Sequence, residues 1–424
     1  MTTANDCCAP GAEPVTAPKA PLSRQQALSR LLAQAEPLDG RETLPLMACL
    51  GRVLALPVVS QIEVPGWDNS AMDGYAMRAA DLAPSQGRLR IAQRIPAGTC
   101  GRPLEPGTAA RIFTGAPIPP GADTVVVQEV CQVLGDEVSL PLNLKAGANI
   151  RHAGEDIRAG HEILAAGTRL LPQHLGLAAS VGVERLEVWR RLRVAVLSTG
   201  DELVMPGQPL GPGQIYNSNR FTLLGLLDQL GCETLDLGII EDSLEATVTA
   251  LRQASDQADL ILASGGVSVG EEDHVKAAVE HLGCLDLWRV AIRPGKPLAY
   301  GHLGPRRTPF IGVPGNPVSL FVTFCLFAHP FIRRRQGVAG GLEPRSYLIP
   351  ADFAWTKAAE REEFPRARLV PGRDDQPRVQ LYPSHSSAVL SSLTWAEGLA
   401  VITAGRMIRP GEPVPFIPLT ELLS

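Results

Sequence analysis

Arg193-Val-Ala-Val-Leu-Ser-Thr-Gly-Asp-Glu202 begins as an apolar run and ends in a glycine turn with two carboxylates. A short apolar run bounded by turn residues reads as a buried strand. The pattern returns at Leu260-Ile-Leu-Ala-Ser-Gly-Gly-Val-Ser-Val-Gly270, where a strand run opens into glycines. Around these stretches we expect strands at 194–197, 235–239, 259–263, 288–292, 297–300 and 310–313. Helices are expected near 217–230, 244–254 and 273–282, with a long one after Pro317. Such alternation implies an open α/β sheet with helices on both faces, three layers in all, and a ligand at the carboxyl ends of the strands.

On the amino-terminal side, Ser23 and Gln26 form a possible capping box for a helix carrying Leu28, Leu31 and Leu32. Residues 60–75 read as a loop. Residues 89–144 read as short strands broken by Pro and Gly, including 109–113 and 124–130. From about residue 345 no helical period is visible, so a small β domain is expected. The expected division is a disordered tail over 1–20, rich in Ala, Pro and Thr. An N-terminal and linker domain then combines 21–60 with 147–189. An inserted β domain occupies 61–146, the α/β domain 190–335 and a C-terminal β domain 340–424. So segmented a chain suggests an elongated molecule, a shape that often accompanies dimerisation.

Composition bounds the function. Among 424 residues, 39 Lys plus Arg against 44 Asp plus Glu give a net charge of −5. That argues against a general nucleic-acid or membrane-surface binder. Only five basic residues are lysines, so a lysine inside a motif carries more information here. The eight cysteines lack metal-ligand spacing, which fits a reduced, cytoplasmic protein. No secretory signal is recognised, and the most apolar stretch, 321–327, is too short to span a bilayer.

Several stretches carry candidate chemistry. Glycines after the strand at 259–263 let backbone N–H groups approach an anion. Asp242 and Asp273, at neighbouring strand ends, are hard oxygen donors of the kind that suit one Mg²⁺ together with phosphate oxygens. Trp288-Arg-Val-Ala-Ile-Arg-Pro-Gly-Lys-Pro297 gathers Arg289, Arg293 and Lys296; in one strand Arg289 and Arg293 would share a face. Arg366 and Arg368 would likewise share a strand face, near the cluster Ser384-His-Ser-Ser387. Each feature also has an ordinary explanation as a cap, a tight turn or a solvated charge.

Taken as strings they are more specific. Ser264-Gly-Gly-Val-Ser-Val-Gly-Glu-Glu-Asp-His274 resembles the pterin-phosphate loop of molybdopterin-binding domains. Pro65-Gly-Trp-Asp-Asn-Ser-Ala-Met-Asp-Gly-Tyr-Ala76 is the strongest signature. Together they resemble the molybdopterin molybdenumtransferase family, of MoeA and gephyrin type, from about Leu22 to the C-terminus. The resemblance implies insertion of molybdate into adenylyl-molybdopterin with Mg²⁺-dependent release of AMP. It implies catalytic roles for Asp73, Thr114, Glu202, Asp242, Asp273 and Lys296, with Asp73 reaching the active site of a partner subunit in a homodimer. Substrate contacts would come from Asp156, Ser198, Thr199, Gly200 and Asp201, and from Ser264, Gly265, Gly266 and Ser268. Arg289, Arg293, Pro314, Gly315 and Asn316 would join them, with Arg366 and Ser384 holding molybdate. Some members carry lysine at the positions of Arg289 and Arg293. The rival readings are a molybdopterin adenylyltransferase and a non-enzymatic scaffold of the same fold. Transient contact with other cofactor-assembly enzymes is expected; nucleic acid and membrane are not.

Overall fold

The computed structural model describes residues 21–265, 274–372 and 375–423; the expectation for residues 1–20 lies outside them. The chain divides into two compact units: residues 1–42, 51–55 and 187–424, and residues 43–50 and 56–186.

The first unit is built on a six-stranded sheet. Its strands are β1 (Arg193–Thr199), β2 (Glu233–Ile240), β3 (Leu260–Ser264), β4 (Gly283–Arg289), β5 (Pro297–Leu303) and β6 (Thr308–Val313). The order is β2-β1-β3-β6-β5-β4. The first four are mutually parallel, whereas β5 runs antiparallel to β6 and β4. The apolar runs are continuous because both faces are covered. Val194, Val196, Leu260, Leu262, Ile311 and Val313 point into one core, and Ala195, Leu197, Ile261, Ala263 and Phe310 into another. This is the two-residue alternation of a strand.

Helices α1 (Arg24–Leu32) and α2 (Ser218–Gln229) pack in the first core, α3 (Leu244–Gln257) and α4 (His274–Leu282) in the second. The Ser23–Gln26 capping box forms as expected. The long helix after Pro317 is Pro317–Thr323, a π-helical Phe324–Ala328 and His329–Arg335. Pro330 has no N–H to donate back along the helix, and a π segment is one way to absorb that loss.

In this unit one expectation needs correction. The strand expected at 288–292 is Gly283–Arg289, followed by a loop closed by the Val290 N–H donating to the Lys296 carbonyl at 2.9 Å. Arg293 then lies in a separate short strand, Ile292–Arg293, so the shared face with Arg289 does not follow. The C-terminal region is a five-stranded sheet, but it also carries the short helices Ser391–Trp395 and Leu419–Leu422. Phe364, Leu399 and Ile417 from this region enter the first core, which fastens the C-terminal sheet to the α/β sheet.

The second unit holds another six-stranded sheet, ordered Thr124–Val127, Gly74–Met77, Thr108–Ile112, Arg88–Ile95, Glu137–Ser139 and Gln132–Leu134. Part of the expected loop at 60–75 is thus strand: Asn69–Ser70 pairs with Ile150–Arg151, and Gly74–Met77 lies inside the sheet. Gly74 is required there, because a Cβ would come within 1.8 Å of the Val126 carbonyl oxygen. The glycine lets the chain enter the sheet directly after Asp73.

Candidate functional site

In the first unit a cleft of about 1080 Å³ opens at the carboxyl ends of β1, β3 and β6. At its base the buried Ser198 and Ser264 hydroxyls hydrogen-bond at 2.9 Å, tying the ends of β1 and β3 together. Gly265 follows with φ +87°, a left-handed turn that favours glycine. From β6 come Pro314, Gly315 and Asn316. A Cβ at Gly315 would stand 3.8 Å from Gly265 Cα, so two glycine turns approach closely here. Asn219 in the first turn of α2 donates to the Gly315 carbonyl at 2.6 Å and fixes that turn. Asn316 caps the next helix through its backbone only, leaving its side-chain amide available to the cleft.

Three cations face these turns: Arg293, Lys296 and Arg361. Arg293 is partly engaged by Glu363 at 3.5 Å. Arg361 donates to the Ile292 carbonyl at a long 3.4 Å. The Lys296 ammonium makes no hydrogen bond or ion pair with the described residues. It is held by Gly295, whose φ is +108° and whose Cβ would strike Thr323 Oγ1 at 2.4 Å.

The opposite wall is His385, Ser386 and Ser387. Partial desolvation, then the Arg366 and Arg293 charges, hold the His385 imidazole below its ordinary value, against an edge contact with Trp355 at 5.2 Å. Arg366 itself is buried. Its Nε donates to Ser392 Oγ at 2.9 Å, and its Nη2 to the Ser384 and Ser386 carbonyls at 2.6 and 3.0 Å.

Of the expected site residues, the cleft brings together Thr199, Glu202, Ser264, Gly265, Arg293, Lys296, Pro314, Gly315 and Asn316. Ser198 lies beneath it, and Arg366 and Ser384 stand behind the His385–Ser387 wall. Gly200, Asp201, Asp242 and Arg289 are outside the lining; the last three are exposed. Gly266, Ser268 and Asp273 lie outside the described residues. In the second unit, the Asp73 carboxylate accepts the Thr114 amide at 2.8 Å and its hydroxyl at 2.7 Å. These bonds, with Arg111 nearby, hold Asp73 below the usual carboxylate range. Asp156 is an exposed turn residue of the same unit. The sequence reading missed Tyr216, Asn219 and Arg361 as lining residues, whereas His385, Ser386 and Ser387 belong to the cluster it singled out. Arg361 sits in a charged run, Glu360-Arg-Glu-Glu363, that reads as a solvated edge.

Glycine turns, the Glu202 carboxylate and an array of cations define an α/β protein fitted to a phosphorylated or otherwise anionic small molecule. The comparisons agree. Residues 22–182 match the MoeA N-terminal region (domains I and II), 195–334 the probable molybdopterin-binding domain, and 349–419 the MoeA C-terminal region (domain IV). The molybdopterin molybdenumtransferase of Haemophilus influenzae is 40% identical over 95% of this chain and 100% of its own length. That of Nostoc sp. is 38% identical over 89% of this chain and 88% of its own. A crystal structure of a molybdopterin biosynthesis MoeA protein from Pyrococcus horikoshii OT3 covers 94% of this chain and 100% of its own, with TM-score 0.80 and 26% identity. The chain belongs to the molybdopterin molybdenumtransferase family.

Proposed function

We propose that the chain is a molybdopterin molybdenumtransferase that inserts molybdenum, delivered as molybdate, into adenylyl-molybdopterin and releases AMP. The observation that supports this reading is the cleft, where two glycine turns at strand ends face Arg293, Lys296 and Arg361. The chemistry needs such an array. Molybdate must approach a substrate that already carries an anionic pyrophosphate, and two unit charges ~4 Å apart repel by about 4 kcal/mol at an effective dielectric near 20. Three cations offset that repulsion. The glycine turns take the phosphates through backbone N–H groups, and the His385–Ser387 wall offers donors to the oxyanion. The dithiolene sulfurs come with the substrate, so no cysteine is required in the wall. Asp73, held by Thr114, would reach the active site of a partner subunit, and Asp156 would contact substrate.

Among the described residues no three His, Cys, Asp or Glu side chains form a metal-sized group. Mg²⁺ does not need one, since it is commonly bound by one or two carboxylates plus phosphate oxygens and water. Asp242 fits that donor set. It is an exposed carboxylate just past the end of β2, with no partner among the described residues. Asp242 would hold the ion, with Asp273 as the second candidate. Bound there, Mg²⁺ would neutralise and polarise the phosphoanhydride.

Incubation of the full chain with adenylyl-molybdopterin, molybdate and Mg²⁺ should release AMP, and omission of molybdate or Mg²⁺ should abolish it. Adenylylation of molybdopterin from ATP without molybdate use would replace this reading with the adenylyltransferase. A homodimer in the cytoplasm is part of the same proposal; sedimentation at the monomer mass, or fractionation elsewhere, would remove it. Among the described residues no helix is long and apolar enough to cross a membrane.

A further inference from the structure

A second cavity, of about 430 Å³, opens at the other end of the central sheet. Its wall includes Asp259, just before β3, and Thr308, the first residue of β6. The cleft uses Ser264 and Pro314 from the far ends of the same strands, so the two spaces are distinct.

Three guanidinium groups line this cavity, those of Arg306, Arg307 and Arg335, against the carboxylates of Asp259 and Glu36. Asp259 is already neutralised. Arg190 grips both its oxygens at 2.7 Å, and the Arg193 amide donates at 2.9 Å. Burial pushes the Asp259 carboxyl up, but these bonds and the Arg190 charge outweigh it and keep the group ionised. Arg190 is not itself part of the wall. Glu36 is exposed and meets Arg335 through its backbone carbonyl, at 2.8 Å, rather than its carboxylate. Its Nη2 donates to the Asp259 carbonyl at a long 3.5 Å.

Arg335 is therefore a half-buried cation with carbonyl partners and no carboxylate within ion-pair distance among the described residues. Burial pulls its guanidinium below the ordinary value, the mark of a charge held without full compensation. Arg306 donates to the Asp256 carbonyl at 2.6 Å, again leaving its charge unmatched. His302 adds no opposing charge. Burial holds it at about 4, so the ring is neutral near pH 7 and pairs with the Tyr300 hydroxyl at 2.9 Å.

We propose that this cavity binds a tetrahedral oxyanion of phosphate type, either free or as the terminal group of a nucleotide. Planar guanidinium forks match phosphate oxygens in pairs, and such charge-assisted bonds are the strong ones. The volume exceeds a lone ion and falls within the roughly 300–1,000 Å³ of small-molecule sites.

The test is a calorimetric titration of the full chain with inorganic phosphate. It is repeated on the combined variant Arg306→Glu and Arg307→Glu, on the milder Arg306→Gln, and on Lys296→Ala as a cleft control. Both substituted arginines of the wall are exposed, so the fold should persist. The expected result is a saturable site, weakened by salt, whose affinity falls by about tenfold or more in the double variant and less in Arg306→Gln. Lys296→Ala should leave it unchanged. AMP that displaces phosphate with the same arginine dependence identifies the nucleotide terminus; AMP that fails to displace it identifies the free ion. The absence of a saturable site overturns the proposal. So does a site lost with Lys296→Ala but retained in the double variant.

Discussion

Replacing Arg366 with Ala is expected to cost about 2–4 kcal/mol of stability, seen as a lower urea midpoint, because a buried, triply bonded guanidinium is removed. The side chain bonds Ser392 Oγ and the carbonyls of Ser384 and Ser386, and its relative exposure is 1%. Both carbonyls belong to the loop whose next residues line the cleft. The variant should therefore lose AMP release through a displaced His385–Ser387 wall. The family resemblance put Arg366 and Ser384 in direct contact with molybdate. The geometry supports a positioning role instead, and the two roles separate experimentally. Arg366 is one of the charges that depress His385, so its removal should raise the His385 titration seen by NMR. Ser384→Ala leaves the clamped carbonyl in place and should cost less than about 1 kcal/mol, the scale of one exposed hydrogen bond. Full stability in Arg366→Ala, with only the molybdate requirement raised, would restore the direct-contact assignment.

The α/β core was legible because burial on both faces leaves a strong local trace. Val194 to Leu197 and Leu260 to Ala263 are unbroken apolar runs, and their odd and even residues fill different cores. β4 was misplaced for an equally physical reason. Gly283 reads as a turn residue, yet it is a strand residue where a Cβ would come within 1.9 Å of the His302 carbonyl oxygen. Close backbone approach leaves no signal in the sequence except the glycine. The cleft was legible on its strand-end side and in the Ser384–Ser387 cluster, but not at Arg361. Glycine turns mark themselves locally. Arg361 and Ser386 reach the site because Phe364, Leu399 and Ile417 dock the C-terminal sheet into a core shared with the α/β sheet. That docking is a long-range packing event with no local period. Which serine of 384–387 faces the cleft is settled by the Arg366 clamp, not by the serines.

Lys296→Ala is expected to reduce AMP release by about 10²–10³-fold at saturating molybdate, the scale for deleting one preorganised charged donor. The cations of the cleft are not equivalent. Arg293 already faces Glu363 at 3.5 Å, so part of its field is neutralised before any ligand arrives. Arg361 is partly engaged by the Ile292 carbonyl at 3.4 Å. The Lys296 ammonium has no partner among the described residues and can follow charge as it develops on the anhydride. Arg293→Ala should therefore cost only about tenfold, since Glu363 already offsets part of its charge. Lys296→Arg keeps the charge but replaces a compact ammonium with a planar fork, so it should fall between wild type and Lys296→Ala. Single-turnover measurements separate this from binding: the Lys296→Ala loss should appear in the rate of the bound complex, with pterin-nucleotide affinity changed far less. An Arg293→Ala defect larger than that of Lys296→Ala, or a Lys296→Ala loss confined to affinity, would move the decisive cation elsewhere in the cleft.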